Sequence, residues 1–496
     1  MNDLLPSLSD QLNRIMASLP LFKPELYLCA LFLVVLVTDL IFGRNSAKLC
    51  RAAAIGGMLL VILQVLLQYG LTLGPPTFIF SEMLLLSHDI VVFKLIIDVI
   101  ALVIFLYIPF DDRLAGHRKG LSDLYTVAIA TVFGLHLMVM AVNLLSIYVS
   151  VELVSIASYL MVAYHTGNAK GQEAGLKYVL FGAAASAVML YGISLLYVSG
   201  GSLGLYYGSL MSNLKQANPA MVSMAISLLL VGIGFKLSFV PVHFWVPDVY
   251  EGAPTPVTAW LSTLPKIAGF GLLVNVLYPV VSNLHTFDIR LTLSVIAVIT
   301  MIAGNFAAVM QKNVKRMLAY SSIGHTGFAL MAVVTMQVPA TMLTFYLVAY
   351  TLASVAALML ATYFTNNEGA ETVEDYKGFG FRYPVASVCF VVVLISLTGI
   401  PITAGFTGKL LVFAAAYNVY EHTHDVWMLI MMITGAVTTV VSLFYYIRVP
   451  LNLFLRHIDN QVDSASTGRY LLSIVVIISV LLVAIGIYPS LVTTFL

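Results

Sequence analysis

The chain has 496 residues, of which 60% are hydrophobic and only 9% carry a charged side chain. Soluble proteins have about 25% charged residues, so this composition excludes a water-soluble enzyme and indicates a polytopic membrane protein. The net charge of +1 gives no sign of a nucleic-acid-binding surface.

Apolar stretches of about 20 residues, the length that crosses about 30 Å of hydrocarbon, recur along the chain. They predict fourteen membrane spans, at residues 24–43, 52–72, 90–108, 122–141, 143–164, 174–198, 222–245, 256–278, 291–311, 317–336, 340–364, 384–420, 427–447 and 470–492. The polar residues 1–23 lack the order of a signal peptide. The twelfth span is too long for one straight helix, and Gly399, Pro401, Gly405 and Gly408 are predicted to break it.

Basic residues in the loops predict the orientation, because cytoplasmic loops carry an excess of lysine and arginine. Loops after odd-numbered spans hold 15 of them: Arg44, Lys48, Arg51, Arg113, Arg118, Lys119, Lys170, Lys312, Lys315, Arg316, Lys377, Arg382, Arg448, Arg456 and Arg469. Loops after even-numbered spans and the N-terminal tail hold only 4: Arg14, Lys23, Lys215 and Arg290. We therefore predict that both termini lie on the outer side.

Five lysines remain inside the predicted spans, where a charge is costly. Lys94 and Lys177 lie one to two turns from a span end. Each ammonium group can therefore extend to the membrane–water interface, and a functional role is the alternative. Asp98, four residues after Lys94, suggests a local ion pair. Lys236, Lys266 and Lys409 lie near mid-span, and we predict functional roles for these three.

Lys236 and Lys409 each lie beside glycine and proline in the seventh and twelfth spans. Two interrupted spans, five spans apart, are typical of inverted repeats with polar sites near the middle of the bilayer. Backbone groups freed by such breaks must face protein or water. The pattern therefore predicts hydrated cavities beside these two lysines.

Glu152 lies within the fifth span, and we predict Lys236 as its partner, since a buried carboxylate costs much less beside an ammonium group. Such a lysine can take up and release a proton as the carboxylate moves. His243 and His325 are candidates for relaying protons, with interhelical hydrogen bonding as the alternative.

Other polar residues of the spans receive structural interpretations: His136 is a weaker relay candidate, Asp39 and Glu173 are interpreted as end-of-span charges, and Tyr346 and Tyr350 as packing residues. Cys29, Cys50 and Cys389 are scattered, so the sequence predicts no disulfide, iron–sulfur cluster or zinc site. No glycine-rich phosphate loop is present, and no histidine pair has haem-ligand spacing. We therefore expect no cofactor and no electron transfer in this chain.

Four sequence segments resemble the antiporter-like membrane subunits of respiratory complex I (NADH–quinone oxidoreductase). They are residues 152–160 (ELVSIASYL), 173–187 (EAGLKYVLFGAAASA), 235–260 (FKLSFVPVHFWVPDVYEGAPTPVTAW), continuing to Pro265 and Lys266, and 313–325 (NVKRMLAYSSIGH). The PDVYEGAPTP form at 247–256 and a lysine in span twelve are similar to the subunit N family. The resemblance covers about residues 25–490.

The resemblance implies an all-α membrane protein with about fourteen helices, in which spans four to eight and nine to thirteen form two inverted five-helix repeats and helices seven and twelve are broken. It implies a proton path through the positions of Glu152, Lys236, Lys266 and Lys409, with a less certain role for Lys177. FMN, iron–sulfur clusters and quinone are expected in partner membrane and peripheral subunits.

The division that follows is 1–121 (a three-helix segment), 122–278 and 291–455 (the two repeats) and 456–496 (a C-terminal helix). The expected location is a bacterial inner membrane. Two alternatives stay open: a subunit of a multisubunit sodium/proton antiporter, and a passive scaffold whose buried charges only hold helices together. Soluble iron–sulfur partners would favour complex I, and small membrane partners alone would favour the antiporter.

Overall fold

The computed structural model describes residues 4–43, 46–72, 74–115, 120–164, 169–206, 209–284, 287–335, 340–456 and 468–495. Arg44, Arg118, Lys119 and residue 336, to which predictions above refer, lie outside the described residues, as do residues 457–467 of the predicted C-terminal segment.

Helices account for almost all of the described chain. In chain order they are α1 (Leu4–Ser18), α2 (Lys23–Phe42), α3 (Ala47–Leu71), α4 (His88–Tyr107), α5 (Asp112–Ala115), α6 (Ser122–Met140), α7 (Leu144–Val162), α8 (Ala169–Gly200), α9 (Leu210–Leu214), α10 (Pro219–Leu237), α11 (Trp245–Gly252), α12 (Thr255–Asn283), α13 (Ile289–Val309), α14 (Val314–Val334), α15 (Thr341–Glu368), α16 (Phe379–Arg382), α17 (Pro384–Thr398), α18 (Ala404–Thr423), α19 (Val426–Leu455), α20 (Arg469–Ile487) and α21 (Ser490–Thr493).

Within the described residues, 13 helices are long and apolar enough to cross a membrane. They match the predicted spans one to eleven, thirteen and fourteen, and the twelfth span is the pair α17 and α18. The prediction of an all-α polytopic membrane protein is confirmed. The inverted relationship between the two sets of five helices and the four-part division of the chain stay predictions.

Two features were not predicted from the sequence. The polar N-terminal tail contains helix α1, and a short antiparallel hairpin joins α3 to α4. Its strands are β1 (Thr77–Ile79) and β2 (Leu84–Leu86), paired so that Phe78 lies opposite Leu85. Three-residue strands are too short to give a clear alternating pattern, which explains why the hydropathy pattern did not reveal them.

Polar caps fix where several spans begin. Asn143, Asn218 and Asn313 precede α7, α10 and α14, and each side chain accepts a hydrogen bond from a backbone N–H two or three residues later. An asparagine at this position satisfies a backbone donor that the helix itself leaves unpaired.

The interruptions predicted in spans seven and twelve coincide with helix ends. Helix α10 ends at Leu237, where Ser238 has a φ of +65°, and α17 ends before Gly399, whose φ is +85°. Gly405 and Gly408, however, lie inside α18 and do not break it. A side chain at position 405 would collide with the backbone of Ser396, so this glycine serves close packing between α17 and α18.

The centre of the bundle is formed by α12, α14 and α15. In an apolar stretch of 18 residues in each of these helices, 83%, 89% and 89% of the residues are buried within the protein. Helices α2 and α3 are peripheral, because only 22% and 28% of the residues in the corresponding stretches are buried. The most buried helices therefore carry Lys266, His325, Tyr346 and Tyr350.

Candidate functional site

Lys266 lies at the centre of a buried hydrogen-bonded group. Its Nζ donates to the carbonyl oxygen of Ser322 at 2.7 Å, to the Ser322 Oγ at 2.6 Å and to the Thr326 Oγ1 at 2.9 Å. The side chain is almost fully buried. An ammonium group has three N–H donors, so these oxygens can satisfy a charged Lys266 without a carboxylate.

Hydroxyl groups continue the network from Lys266 towards His325. The Tyr350 hydroxyl contacts the Ser322 Oγ at 2.7 Å, and the Tyr346 hydroxyl contacts the Nδ1 of His325 at 2.8 Å. The rings of His325 and Tyr350 lie 4.9 Å apart. The interpretation of both tyrosines as packing residues was wrong, because the Tyr350 hydroxyl binds Ser322 and the Tyr346 hydroxyl binds His325.

The broken seventh span reaches the same network through its backbone. Thr326 donates through its Oγ1 to the carbonyl of Leu237, the last residue of α10, at 2.9 Å. Just beyond the break, the N–H of Val240 donates to the hydroxyl of Thr300 at 3.0 Å. Backbone groups freed at the break thus bind protein side chains, which is the condition for an interrupted helix inside a membrane.

Lys409 lies on α18, beyond the second break, and its side chain contacts the end of α17. Its Nζ donates to the carbonyl of Thr398, at the end of α17, at 2.7 Å and to the Thr439 hydroxyl at 3.4 Å. The carbonyl end of a helix carries partial negative charge, which stabilises an ammonium group. The Nζ also lies 4.7 Å from the ring centre of Phe328, within the range of a cation–π contact.

A small cavity lies between Tyr350 and Lys409. Its volume is about 10 Å³, and its lining includes His325, Tyr350 and Lys409. A cavity of roughly this size holds about one water molecule. Tyr350, which contacts Ser322 of the Lys266 group, and Lys409 therefore line the same cavity.

Lys236 has a different environment, made of aromatic rings. Its Nζ lies 5.8 Å from the ring centre of Tyr159 and 5.9 Å from that of Tyr178. Among the described residues, neither this Nζ nor the Oε1 of Glu152 has a hydrogen-bond partner, although both atoms are buried. The predicted pair of Lys236 with Glu152 is thus not a direct hydrogen bond here, and its role stays a prediction.

Known proteins share both the sequence and the fold of this chain. A family model described as "NADH:quinone oxidoreductase/Mrp antiporter, TM" matches residues 141–442. The chain is 35% identical to NADH-quinone oxidoreductase subunit N 2 of Chloroherpeton thalassium, with 94% of this chain and 91% of the relative covered. The chain belongs to the NADH:quinone oxidoreductase/Mrp antiporter transmembrane family.

Solved structures agree with this membership. Respiratory complex I from Thermus thermophilus with bound aureothin contains a chain of similar fold, with a TM-score of 0.78, 30% identity and coverage of 95% of this chain and 98% of that one. The Mrp complex from Dietzia sp. has a chain with a TM-score of 0.80 at 17% identity, covering 96% of both, which shows a shared fold alone.

Two of the predicted site residues, His243 and Lys177, lie apart from the buried row of polar side chains that includes Lys236, Lys266 and Lys409. His243 is half-buried, and its ring packs against Phe244, which is exposed. Lys177 lies at the end of α8, where its Nζ is 2.6 Å from a Glu173 carboxylate oxygen and 2.7 Å from one of Asp248. Neither contact connects them to Lys236 or Lys266.

Lys177 belongs to a charged rim that joins the ends of α8, α11 and α14. Arg316 pairs with Asp248 at 2.7 Å and with Glu251 at 3.1 Å around a cavity of about 160 Å³. Burial alone would raise the pKa of Asp248, but hydrogen bonds from Lys177 and Arg316 hold this pKa below its ordinary value. The rim is thus an ion-pair network at one end of the bundle.

The predicted ion pair between Lys94 and Asp98 was wrong. Lys94 is fully buried, and its Nζ is 2.7 Å from the Oε1 of Glu25, while Asp98 contacts His136 at 2.9 Å. Local spacing on one helix suggested the pair, but carboxylate and imidazole groups from neighbouring helices are better placed. Full burial also excludes the interpretation that Lys94 reaches the membrane interface.

Sequence reasoning also missed two residues whose hydroxyl groups bind Lys266, namely Ser322 and Thr326. Both lie on α14, the helix that also carries His325. Serine and threonine are tolerated in membrane helices by bonding their own backbone, so their presence alone gave no signal. Within the described residues, no group of three or more His, Cys, Asp and Glu side chains is placed to hold a metal ion.

Proposed function

We propose that this chain is the membrane subunit N of an NADH–quinone oxidoreductase and that it translocates protons through a buried relay. Glu152, Lys236, Lys266, His325 and Lys409 form the relay, with the hydroxyls of Ser322, Thr326 and Tyr350 as connecting groups. Flavin, iron–sulfur clusters and the quinone site belong to partner subunits, and the relay performs no redox chemistry. The expected location is a bacterial inner membrane, with both termini outside.

One observation carries this proposal. Hydrogen bonds link the carbonyl of Leu237, at the break, to Thr326 and Thr326 to Lys266, and no carboxylate takes part in them. Beyond Lys266, Ser322 and Tyr350 lead to the small cavity that Lys409 lines. Hydroxyl groups both donate and accept hydrogen bonds, so they can pass a proton while their heavy atoms stay in place. A scaffold would need only fixed pairs of opposite charge.

The driving event is a change in the electrostatics beside Lys236. Redox energy released in partner subunits moves Glu152 relative to Lys236, which changes how strongly this lysine holds a proton. The proton then passes to Lys266 through the groups near Thr326 and leaves through Lys409. Lys177 lies in the charged rim, where its ion pairs with Glu173 and Asp248 hold it away from Lys236 and Lys266, so it acts at the entrance of the path.

The test is proton pumping by the whole assembly carrying Lys266→Ala, reconstituted into vesicles. We expect fewer protons translocated per NADH oxidised, while NADH oxidation by a water-soluble electron acceptor, which uses only the peripheral subunits, is unchanged. Lys312→Ala is the matched control, since Lys312 is an exposed lysine outside the spans. Full pumping by an intact Lys266→Ala assembly would contradict the proposal.

Co-purification separates this function from the sodium/proton antiporter, for which the shared fold with the Mrp complex is the supporting observation. Purification of the tagged chain in mild detergent should recover soluble iron–sulfur subunits, detectable by mass spectrometry and by their visible absorption. Recovery of small membrane subunits alone would instead assign the chain to an antiporter.

A further inference from the structure

A second group of ionisable side chains lies outside the proposed relay. Glu25 of α2, Lys94 and Asp98 of α4, and His136 of α6 meet between these helices, and all four side chains are completely buried. Helices α2, α4 and α6 carry the charges, and the neighbouring helix α3 contributes Gln68. None of the functional residues proposed above belongs to this group.

Both ring nitrogens of His136 face carboxylate oxygens. Its Nδ1 is 3.1 Å from the Oε1 of Glu25, and its Nε2 is 2.9 Å from the Oδ1 of Asp98. A neutral imidazole has one N–H donor and one acceptor nitrogen, whereas a carboxylate can only accept. With both carboxylates ionised and a neutral ring, one nitrogen lone pair would therefore face a carboxylate oxygen without a proton between them.

The charge count leads to the same result. Lys94 donates to the Oε1 of Glu25 at 2.7 Å and lies 3.4 Å from the Oε1 of Gln68, so it supplies one positive charge against two carboxylates. A further proton makes the group neutral, and without it a net negative charge would be buried, which is strongly unfavourable.

We propose that Glu25, Lys94, Asp98 and His136 form a second proton-binding site, in which one proton is shared between the Nε2 of His136 and the Oδ1 of Asp98. In one state the ring is an imidazolium ion that donates to both carboxylates. In the other, the N–H bond at Nε2 has broken and an O–H bond has formed on Asp98, which then donates to the neutral ring. The ligand is the proton itself.

Helix α2 controls whether the proton stays bound. Glu25 is the only charged group of the site on α2, while the other three are on α4 and α6. Moving α2 away would leave Lys94 and Asp98 as a balanced pair, and the additional proton would no longer be needed for neutrality. Because α2 is a peripheral helix, its packing is open to influence from neighbouring subunits or lipid.

Nearby groups do not supply an alternative partner. Cys29, one turn beyond Glu25, is exposed. Gln68 uses its Nε2 to donate to the carbonyl of Leu21 at 2.6 Å. Among the described residues of the other packed helices, including α7, α12 and α15, no titratable side chain is within hydrogen-bond distance of the four. The second oxygens, Glu25 Oε2 and Asp98 Oδ2, are buried and lack a partner among the described residues.

The test is nitrogen-15 NMR of the assembly with labelled histidine in this chain, at a pH about one unit above the ordinary histidine pKa of about 6.5. The signal of His136 is the one lost in His136→Gln. Two results support the proposal: two protonated ring nitrogens, or one protonated nitrogen together with an infrared carboxylic-acid band that disappears in Asp98→Asn. A singly protonated ring without such a band would overturn it.

Glu25→Gln tests the role of α2 under the same conditions. We expect this variant to lose the shared proton, giving a singly protonated His136 and no carboxylic-acid band from Asp98. Cys29→Ser, one turn away on the same helix, is the matched control and should keep the wild-type signals. Retention of the proton in Glu25→Gln would refute the dependence on α2. These measurements do not depend on whether the proposed relay pumps protons.

Discussion

Lys266 and Lys236 are both buried lysines, but their side chains are held in opposite ways. Lys266 has three oxygen acceptors, which suits an ammonium ion, whereas Lys236 faces aromatic rings and has no hydrogen-bond partner among the described residues. A relay needs sites that differ in this way, because a proton must be bound at one position and released at another. In the proposed relay, the carboxylate of Glu152 is the group that decides the charge of Lys236.

Thr326 connects the first broken helix to Lys266, and Thr326→Val removes this connection with almost no change in volume. We expect fewer protons pumped per NADH, because Lys266 loses an acceptor and the carbonyl of Leu237 loses its donor. The lost buried hydrogen bonds should lower the free energy of unfolding by about 1–3 kcal/mol. Vesicle pumping assays and thermal unfolding of the purified assembly measure both effects.

Thr351→Val is the matched control for this substitution. Thr351 is fully buried on α15, but among the described residues its hydroxyl bonds only to the carbonyl of Val348 in its own helix. It should therefore keep normal pumping. Equal losses of pumping in the two variants would mean that Thr326 acts through general stability alone.

Tyr350 tests the hydroxyl network beyond Lys266. Tyr350→Phe keeps the ring but removes the hydroxyl that contacts Ser322 and donates to the carbonyl of Ser262 at 3.1 Å. We expect slower NADH-driven proton uptake into vesicles that contain the variant assembly. The free energy of unfolding should fall by about 1 kcal/mol. Tyr376→Phe is the control, because the buried Tyr376 hydroxyl has no partner among the described residues, and its removal should be neutral. Normal pumping by Tyr350→Phe would exclude this hydroxyl from the path.

Sequence alone identified the charged residues of the site better than their partners. The three mid-span lysines stand out because a charge in hydrocarbon is costly. Tyr350 and Ser322 do not, since tyrosine and serine are common in membrane helices for other reasons. Glu25 was hidden at the start of the first span, where a carboxylate is expected at the interface, and only the packing of α2 on α4 and α6 places it beside Lys94.

At the level of elements, the two broken helices perform different tasks with a common geometry. Helix α10 ends at a left-handed serine and offers its last carbonyl to Thr326, while α17 ends at a left-handed glycine and offers a carbonyl directly to Lys409. The glycine and proline pattern predicted both positions. It could not predict which carbonyl is used, because this depends on the neighbouring α14 and α18.

Gly399 sets the geometry of the second break, and Gly399→Ala tests it. A φ of +85° is costly for alanine, by about 1–2 kcal/mol, and the new Cβ would lie 2.8 Å from the Cδ of Lys409. We expect Lys409 to be displaced from the Thr398 carbonyl and pumping to fall. Gly369→Ala is a close control, with a φ of +66° and no atom within 4 Å of the added Cβ.

Comparing the two glycine variants separates strain from local contact. Both should lower the thermal stability of the purified assembly by a similar amount, since both place alanine in the left-handed region. Only Gly399→Ala should reduce the protons pumped per NADH. A similar reduction in Gly369→Ala would show that pumping responds to instability rather than to the position of Lys409.

For the whole molecule, the buried polar network around Lys266 and the charged rim at one end of the bundle hold their charges in different ways. The rim around Asp248 and Arg316 consists of direct ion pairs, whereas the row through Lys266 uses hydroxyls and carbonyls. Hydropathy predicted thirteen spans that are single helices, because each is long enough to cross the bilayer core. It did not predict which helices are central, because α12, α14 and α15 are no more apolar than α2 or α20.

The orientation of the chain is a prediction for the whole molecule, and two exposed lysines test it. In a background with Cys29, Cys50 and Cys389 replaced by serine, cysteine is introduced as Lys215→Cys or Lys312→Cys. Position 215 follows an even-numbered span and position 312 an odd-numbered one, so the loop charges put them on opposite sides. A membrane-impermeant thiol reagent applied to intact cells should label position 215, and position 312 only after the inner membrane is permeabilised. The proposed relay releases protons on the side where the termini lie. The reverse labelling pattern would show that the termini lie inside, and the direction assigned to proton transport through Lys409 would then be reversed as well.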